Sequence, residues 1–183
     1  ALGVAFLAAV FVWTYNGFPI LLPLTACGVL THMYVKRKIE YSLIVGLGVG
    51  ICFGLVCHPY FPRDVLFLWH HIVPKLFASE YSTSVGAEWY PYNSWALLNN
   101  APLALGGYLS GILLTNREEW KLDAPRFFWL LVSTVYVLLL CKSRRFVEYF
   151  PPAAIMFLAL SVRGWWREVD LSQFPYSKIQ LGG

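Results

Sequence analysis

Lys142, Arg144 and Arg145 crowd a short turn between two apolar stretches, beside Glu148. Arginine's planar fork matches phosphate oxygens and keeps its charge at any working pH. A lipid-linked phosphate at a membrane surface suits such a cluster, and so does an ordinary patch against lipid headgroups. A second group is Ser84-Val85-Gly86-Ala87-Glu88-Trp89-Tyr90-Pro91-Tyr92. Glu88 is a candidate to accept a proton, bind a metal or hydrogen-bond a sugar. Trp89, Tyr90 and Tyr92 suit stacking on sugar faces. The same string also fits an interfacial anchor with a solvated carboxylate. The third group is His58-Pro59-Tyr60-Phe61-Pro62, where His58 is either a donor to phosphate or part of a rigid turn.

Several chemistries are not written here. His70 and His71 are adjacent, so on a helix they do not make the i, i+4 pair of a helical zinc site. No metal site is expected from them. Cys27, Cys52, Cys57 and Cys141 show no C-x-x-C spacing and sit in or beside apolar runs, as small buried hydrophobes do. There is no phosphate-binding P-loop, serine nucleophile elbow or dinucleotide fingerprint. A net charge of +4 is too weak for a nucleic-acid footprint.

The elements that must position these groups are apolar helices. Of the 183 residues, 58% are hydrophobic and 13% charged, and mean hydropathy is +0.57. Soluble domains carry roughly 25% charge. The composition therefore predicts an all-α membrane protein, a single polytopic membrane domain over residues 1–183. The chain opens at Ala1 in an apolar run and closes on Gly182-Gly183. Both ends read as those of a piece of something longer, or of a processed chain.

Stretches free of charged residues mark about six transmembrane helices, each needing ~20 apolar residues to span. The expected helices run to about Tyr15, then Pro19 to Tyr34, Tyr41 to Cys57, Ser94 to Leu114, Arg126 to Cys141 and Tyr149 to Val162. The third carries Gly46, Gly48, Gly50 and Gly54, small residues that let helices approach closely. His58 to Asn93 forms one long loop, with an amphipathic, interfacial helix over Arg63 to Phe77. Alternating the six helices puts eight basic residues, from Lys36 to Arg167, on one side and Arg63, Lys75, Lys142, Arg144 and Arg145 on the other. The positive-inside rule makes the first side cytoplasmic, so the long loop and the Arg144-Arg145 turn share the outer face.

The order of motifs resembles the later membrane half of the C-type integral-membrane glycosyltransferases, oligosaccharyltransferase catalytic subunits and their bacterial relatives among them. It rests on His-Pro-Tyr-Phe-Pro, on Ser-Val-x-x-Glu-Trp-Tyr-Pro-Tyr, and on Ser143-Arg144-Arg145-Phe146-Val147-Glu148-Tyr149-Phe150-Pro151-Pro152-Ala153. The likeness covers about residues 40 to 160. The Val85-to-Glu88 spacing is one residue longer than usual in that family, and the acidic motif of the family's first outer loop is absent.

The resemblance implies transfer of a sugar from a polyprenyl-phosphate donor on the outer face, in a bacterial cytoplasmic (inner) membrane. Arg144 or Arg145 would hold the lipid-linked phosphate, and Glu88 would be the loop carboxylate, assisting and not serving as the main base. His58, Tyr60, Trp89 and Tyr90 are expected to border the substrate. A divalent metal is expected only if an acidic loop lies upstream. Membrane lipids and other membrane subunits are the further partners expected. Two other functions fit the same residues: a non-catalytic accessory subunit of a membrane complex, and a lipid-carrier transporter or polymerase.

Overall fold

The computed structural model describes residues 1–72, 86–115 and 123–168. Among them the fold is all-α, with no strand. The helices are α1 (Leu2–Thr14), α2 (Leu21–Lys36), α3 (Tyr41–Val56), α4 (Arg63–Phe67), α5 (Ser94–Asn100), α6 (Pro102–Leu113), α7 (Ala124–Lys142) and α8 (Phe150–Glu168). Short 3-10 turns stand at Phe18–Ile20, Ala87–Trp89 and Arg144–Glu148. The long helices pack in the spatial order α1, α3, α2, α7, α8, α6.

Small residues set the closest of these contacts. A Cβ built on Gly50 would run into the Ala5 carbonyl and lie 2.7 Å from the Ala8 Cβ. One on Gly46 would lie 2.7 Å from the Ala1 carbonyl oxygen, and one on Gly54 2.9 Å from the Val12 Cβ. The glycines thus form a flat seam on α3 into which the alanines of α1 fit. The Trp13 indole locks its end, donating from Nε1 to the Gly54 carbonyl at 2.9 Å.

The remaining core centres on α7 and α8, with Cys27 of α2 and Ala101 and Ala104 at the start of α6 packed into it. Val132, Ser133, Tyr136 and Leu140 recur at helical spacing on one face of α7, and Phe150, Ala153, Ala154, Phe157 and Ser161 do so on α8. The buried hydroxyls of Ser133 and Ser161 donate to the carbonyls of Trp129 at 2.6 Å and Phe157 at 2.9 Å. Neither hydroxyl is left as a desolvated donor.

The expectation of about six full-length spans needs correction. Among the described residues only Phe18–Lys36 and Ala124–Lys142, 19 residues each, are both long and apolar enough to cross a membrane. At 1.5 Å per residue, 19 residues reach roughly 28 Å, close to a hydrocarbon core of ~30 Å. The apolar helices Leu2–Thr14, Tyr41–Val56, Pro102–Leu113 and Phe150–Arg163 are shorter.

Local chemistry explains the shortening. Tyr15 leaves α1 in an extended conformation, φ −148° and ψ 118°, ahead of the Asn16-Gly17 turn. The stretch expected as one helix from Ser94 to Leu114 is broken at Ala101, φ −134° and ψ 38°, because Pro102 bars helical geometry to the residue before it. α2 ends where Arg37 turns left-handed, φ 56°, within the Lys36-Arg37-Lys38 run. α8, in contrast, runs past Val162 to Glu168. The expected interfacial helix is helical from Arg63 to Phe67 and continues as a π turn over Leu68–Ile72. The rest of that segment, and residues 116–122, lie outside the described residues.

Candidate functional site

α7 ends at Lys142, and Ser143 swings into an extended conformation, φ −150° and ψ 133°. Its hydroxyl caps the following 3-10 turn, accepting from the Arg145 amide at 3.4 Å. The same hydroxyl donates to the Glu88 carbonyl at 2.9 Å, 55 positions away. Arg144 extends the link between turn and loop. Its amide donates to the Tyr90 carbonyl at 3.1 Å, its Nε to the Pro91 carbonyl at 3.3 Å, and its guanidinium lies 5.1 Å from the Tyr92 ring centre. Loop residues 88–92 are thereby clipped to the end of α7.

Arg145 points elsewhere, as the next residue of a 3-10 turn must, about 120° around the axis. Its Nη1 donates to Glu88 Oε1 at 2.7 Å, and its guanidinium lies 5.6 Å from the Trp89 ring centre. Both partners reach water, with side chains 32% exposed for Arg145 and 51% for Glu88. An ion pair so placed adds ~0–1 kcal/mol to stability. Its significance is chemical. Partial burial opposes the Arg145 charge, but hydrogen bonding to Tyr15 and the nearby Glu88 carboxylate outweigh it and raise the guanidinium pKa.

Two tyrosines complete the arrangement. The Tyr15 and Tyr149 hydroxyls hydrogen-bond each other across 134 positions of sequence. Burial, followed by the bond to Tyr15, holds the Tyr149 phenol far above its ordinary pKa, so it stays protonated. Tyr149 also stacks on Tyr136 with ring centres 5.7 Å apart.

These groups border one cavity of about 740 Å³. Its polar wall holds Tyr15, Asn16, Glu88, Arg145 and Tyr149, and its apolar wall includes Trp13, Ile20, Leu22, Pro23 and Leu139. It lies where the C-terminal ends of α1 and α7 meet the start of α2. Such a space suits an amphipathic molecule with one oxygen-rich polar end.

The residues singled out from the sequence divide accordingly. Glu88, Trp89 and Arg145 line this cavity. Arg144 does not, being engaged with the loop carbonyls. Tyr90 contributes its carbonyl to Arg144, and its own side chain is exposed. His58 and Tyr60 stand apart from it. His58 borders a separate, much smaller cavity with Asp64 and Asn16, its Nδ1 3.6 Å from Asp64 Oδ2. The Tyr60 side chain is 71% exposed, while its amide donates to His58 Nδ1 at 3.3 Å. Asn16 and Phe67 line both cavities, so the two are neighbours.

Sequence reasoning missed Trp13 and Tyr15 and gave Ser143 and Tyr149, both inside the Ser143–Ala153 string, no role of their own. A tyrosine after an apolar helix carries no signal of its own, although the Asn16-Gly17 turn marks where such a residue must leave its helix. Among the described residues, no three His, Cys, Asp or Glu side chains converge as metal ligands. No protein-family model, curated protein or solved structure matches the chain.

Proposed function

We propose that this chain is the later membrane half of a C-type integral-membrane glycosyltransferase, and that its cavity takes a polyprenyl-phosphate-linked sugar donor. The observation that carries this is the Arg145–Glu88 pair set in the polar wall of a cavity whose remaining lining is largely apolar. A permanent cation matches the phosphate, the apolar wall matches the isoprenoid, and the carboxylate stands where the sugar end must lie. Phe18–Lys36 and Ala124–Lys142 would cross the bilayer, with the shorter apolar helices packed beside them. The cavity would open to the outer face of a bacterial cytoplasmic membrane.

In the transfer, the bond from the anomeric carbon to the phosphate oxygen breaks as the acceptor's bond to that carbon forms. Negative charge gathers on the departing phosphate, and the acceptor loses a proton. Arg145 faces that charge from a preset position, an effect worth about 3–4 kcal/mol for a well-aimed donor. Glu88 orients the acceptor or the sugar and assists proton removal. Arg144 acts through the loop it fastens, holding Glu88 opposite Arg145.

The test is transfer of a labelled sugar from a polyprenyl-phosphate donor by the full-length protein in lipid nanodiscs. Turnover lost in Arg145→Gln, with the thermal unfolding transition kept, is the expected result. Donor binding without turnover would instead assign the chain to carrier transport. Absence of both would leave an accessory membrane subunit.

A further inference from the structure

The sequence assigns no role to Tyr15 or Tyr149, yet the fold brings their hydroxyls together on the cavity wall beside Arg145. The proton inventory there is informative. Each phenol carries one O–H, and its oxygen also accepts. One proton is spent in the bond between the two hydroxyls. The Arg145 guanidinium on the same wall only donates, because it has no acceptor. One phenol proton is therefore left over, whichever way the pair is oriented. Glu88, the carboxylate on the same wall, accepts from Arg145. Asn16 adds an amide at the same end. Beyond the Arg145–Glu88 pair, this end of the cavity offers the spare phenol proton and the remaining guanidinium N–H groups, and the complement of those donors is a group with several acceptor oxygens.

We propose that Tyr15, Tyr149 and Arg145 form a cradle for a phosphoryl group, in which the spare phenol proton is donated to a phosphate oxygen. This rests on the proposed function for the identity of the lipid and extends it to which residues grip the headgroup. The phenols are suited to the role because an O–H donates to a phosphate oxygen without itself carrying a charge. They recognise the phosphate without adding charge that would have to be buried. Tyr15 ties the end of α1 to the site and Tyr149 the start of α8, so headgroup binding would draw on both ends of the chain.

The experiment measures binding of polyprenyl phosphate, of the uncharged polyprenol and of inorganic phosphate to the full chain in detergent micelles, by native mass spectrometry. Wild type is compared with Tyr15→Phe, Tyr149→Phe and Arg145→Gln. Each phenylalanine keeps the ring and removes only the hydroxyl, and each variant's thermal transition is recorded beside its binding. The expected result is about tenfold weaker binding of polyprenyl phosphate to each phenylalanine variant, the size of a lost hydrogen bond to a charged group, with polyprenol binding unchanged. Equal losses for phosphate and alcohol would show a merely structural role and overturn the cradle. Loss in Arg145→Gln alone would overturn it too and leave the proposed function standing. Failure of wild type to bind polyprenyl phosphate in preference to polyprenol would overturn both. Inorganic phosphate competing as well as the lipid would keep the cradle and assign it to a free anion.

Discussion

Ser143 and Arg144 touch the loop, and Arg145 touches the cavity. Three consecutive side chains thus divide two tasks. Ser143→Ala removes both the cap on the Arg145 amide and the bond to the Glu88 carbonyl. It is expected to cost about 1–2 kcal/mol, read as a lower thermal transition. Arg144→Ala leaves the Pro91 carbonyl and the Tyr92 ring without their partner, and is expected to speed amide hydrogen exchange in residues 86–92 several-fold. Unchanged exchange there would show that the clip does not hold the loop.

A pH effect belongs to the same scale, at the turn between α2 and α3. The Ser42 hydroxyl bonds the Glu40 carboxylate, with His32 Nδ1 3.5 Å from its other oxygen. These contacts, Ser42 first, lower the Glu40 pKa. A carboxyl lowered on folding stabilises the fold above its unfolded pKa, and that contribution is lost as pH falls through the lowered value. Ser42→Ala is expected to move the Glu40 titration, followed by carboxyl NMR, up toward the usual glutamate range.

At the scale of elements, the α1–α3 seam depends on the absence of side chains. Gly50→Val would force apart two helices whose backbones touch, at about 1–3 kcal/mol or more. Gly48→Val, at a position facing open space, is expected to change stability little. Equal effects at the two positions would contradict the packing described. This seam was legible, because the Gly-x-x-x-Gly spacing states both the closeness and the face. Helix lengths were less so. An apolar run carries no charge to mark its interruption, and the break at Ala101 rests on one proline inside such a run. Arg144 and Arg145 could not be told apart in sequence either, since the 3-10 turn that separates their directions is set by the Ser143 cap.

Over the whole molecule, three remote stretches converge: the end of α1, the loop around Glu88 and the junction of α7 with α8. Counting charge-free segments placed Glu88 and Arg145 on one face, and the fold sets them 2.7 Å apart. Although among the described residues only two helices are long and apolar enough to cross a membrane, the shared face of Glu88 and Arg145 followed from alternating about six spans. Tyr15 and Tyr149 did not, because their meeting depends on how α1 sits against the rest of the bundle, which no local pattern encodes. His58 is equally instructive. Its rigid Pro-flanked turn directs it to Asp64 and a neighbouring small cavity, away from Arg145.

Whether the guanidinium of Arg145 reads an anionic isoprenoid headgroup decides the proposed function. The most direct measurement compares polyprenyl phosphate with polyprenol on wild-type protein and on Arg145→Gln, by titration in nanodiscs. Wild type should prefer the phosphate by about tenfold or more, the value of one charge-assisted hydrogen bond, and Arg145→Gln should lose that preference while still binding the alcohol. The same affinity for both lipids in wild type, or an unaltered preference in the variant, would contradict it.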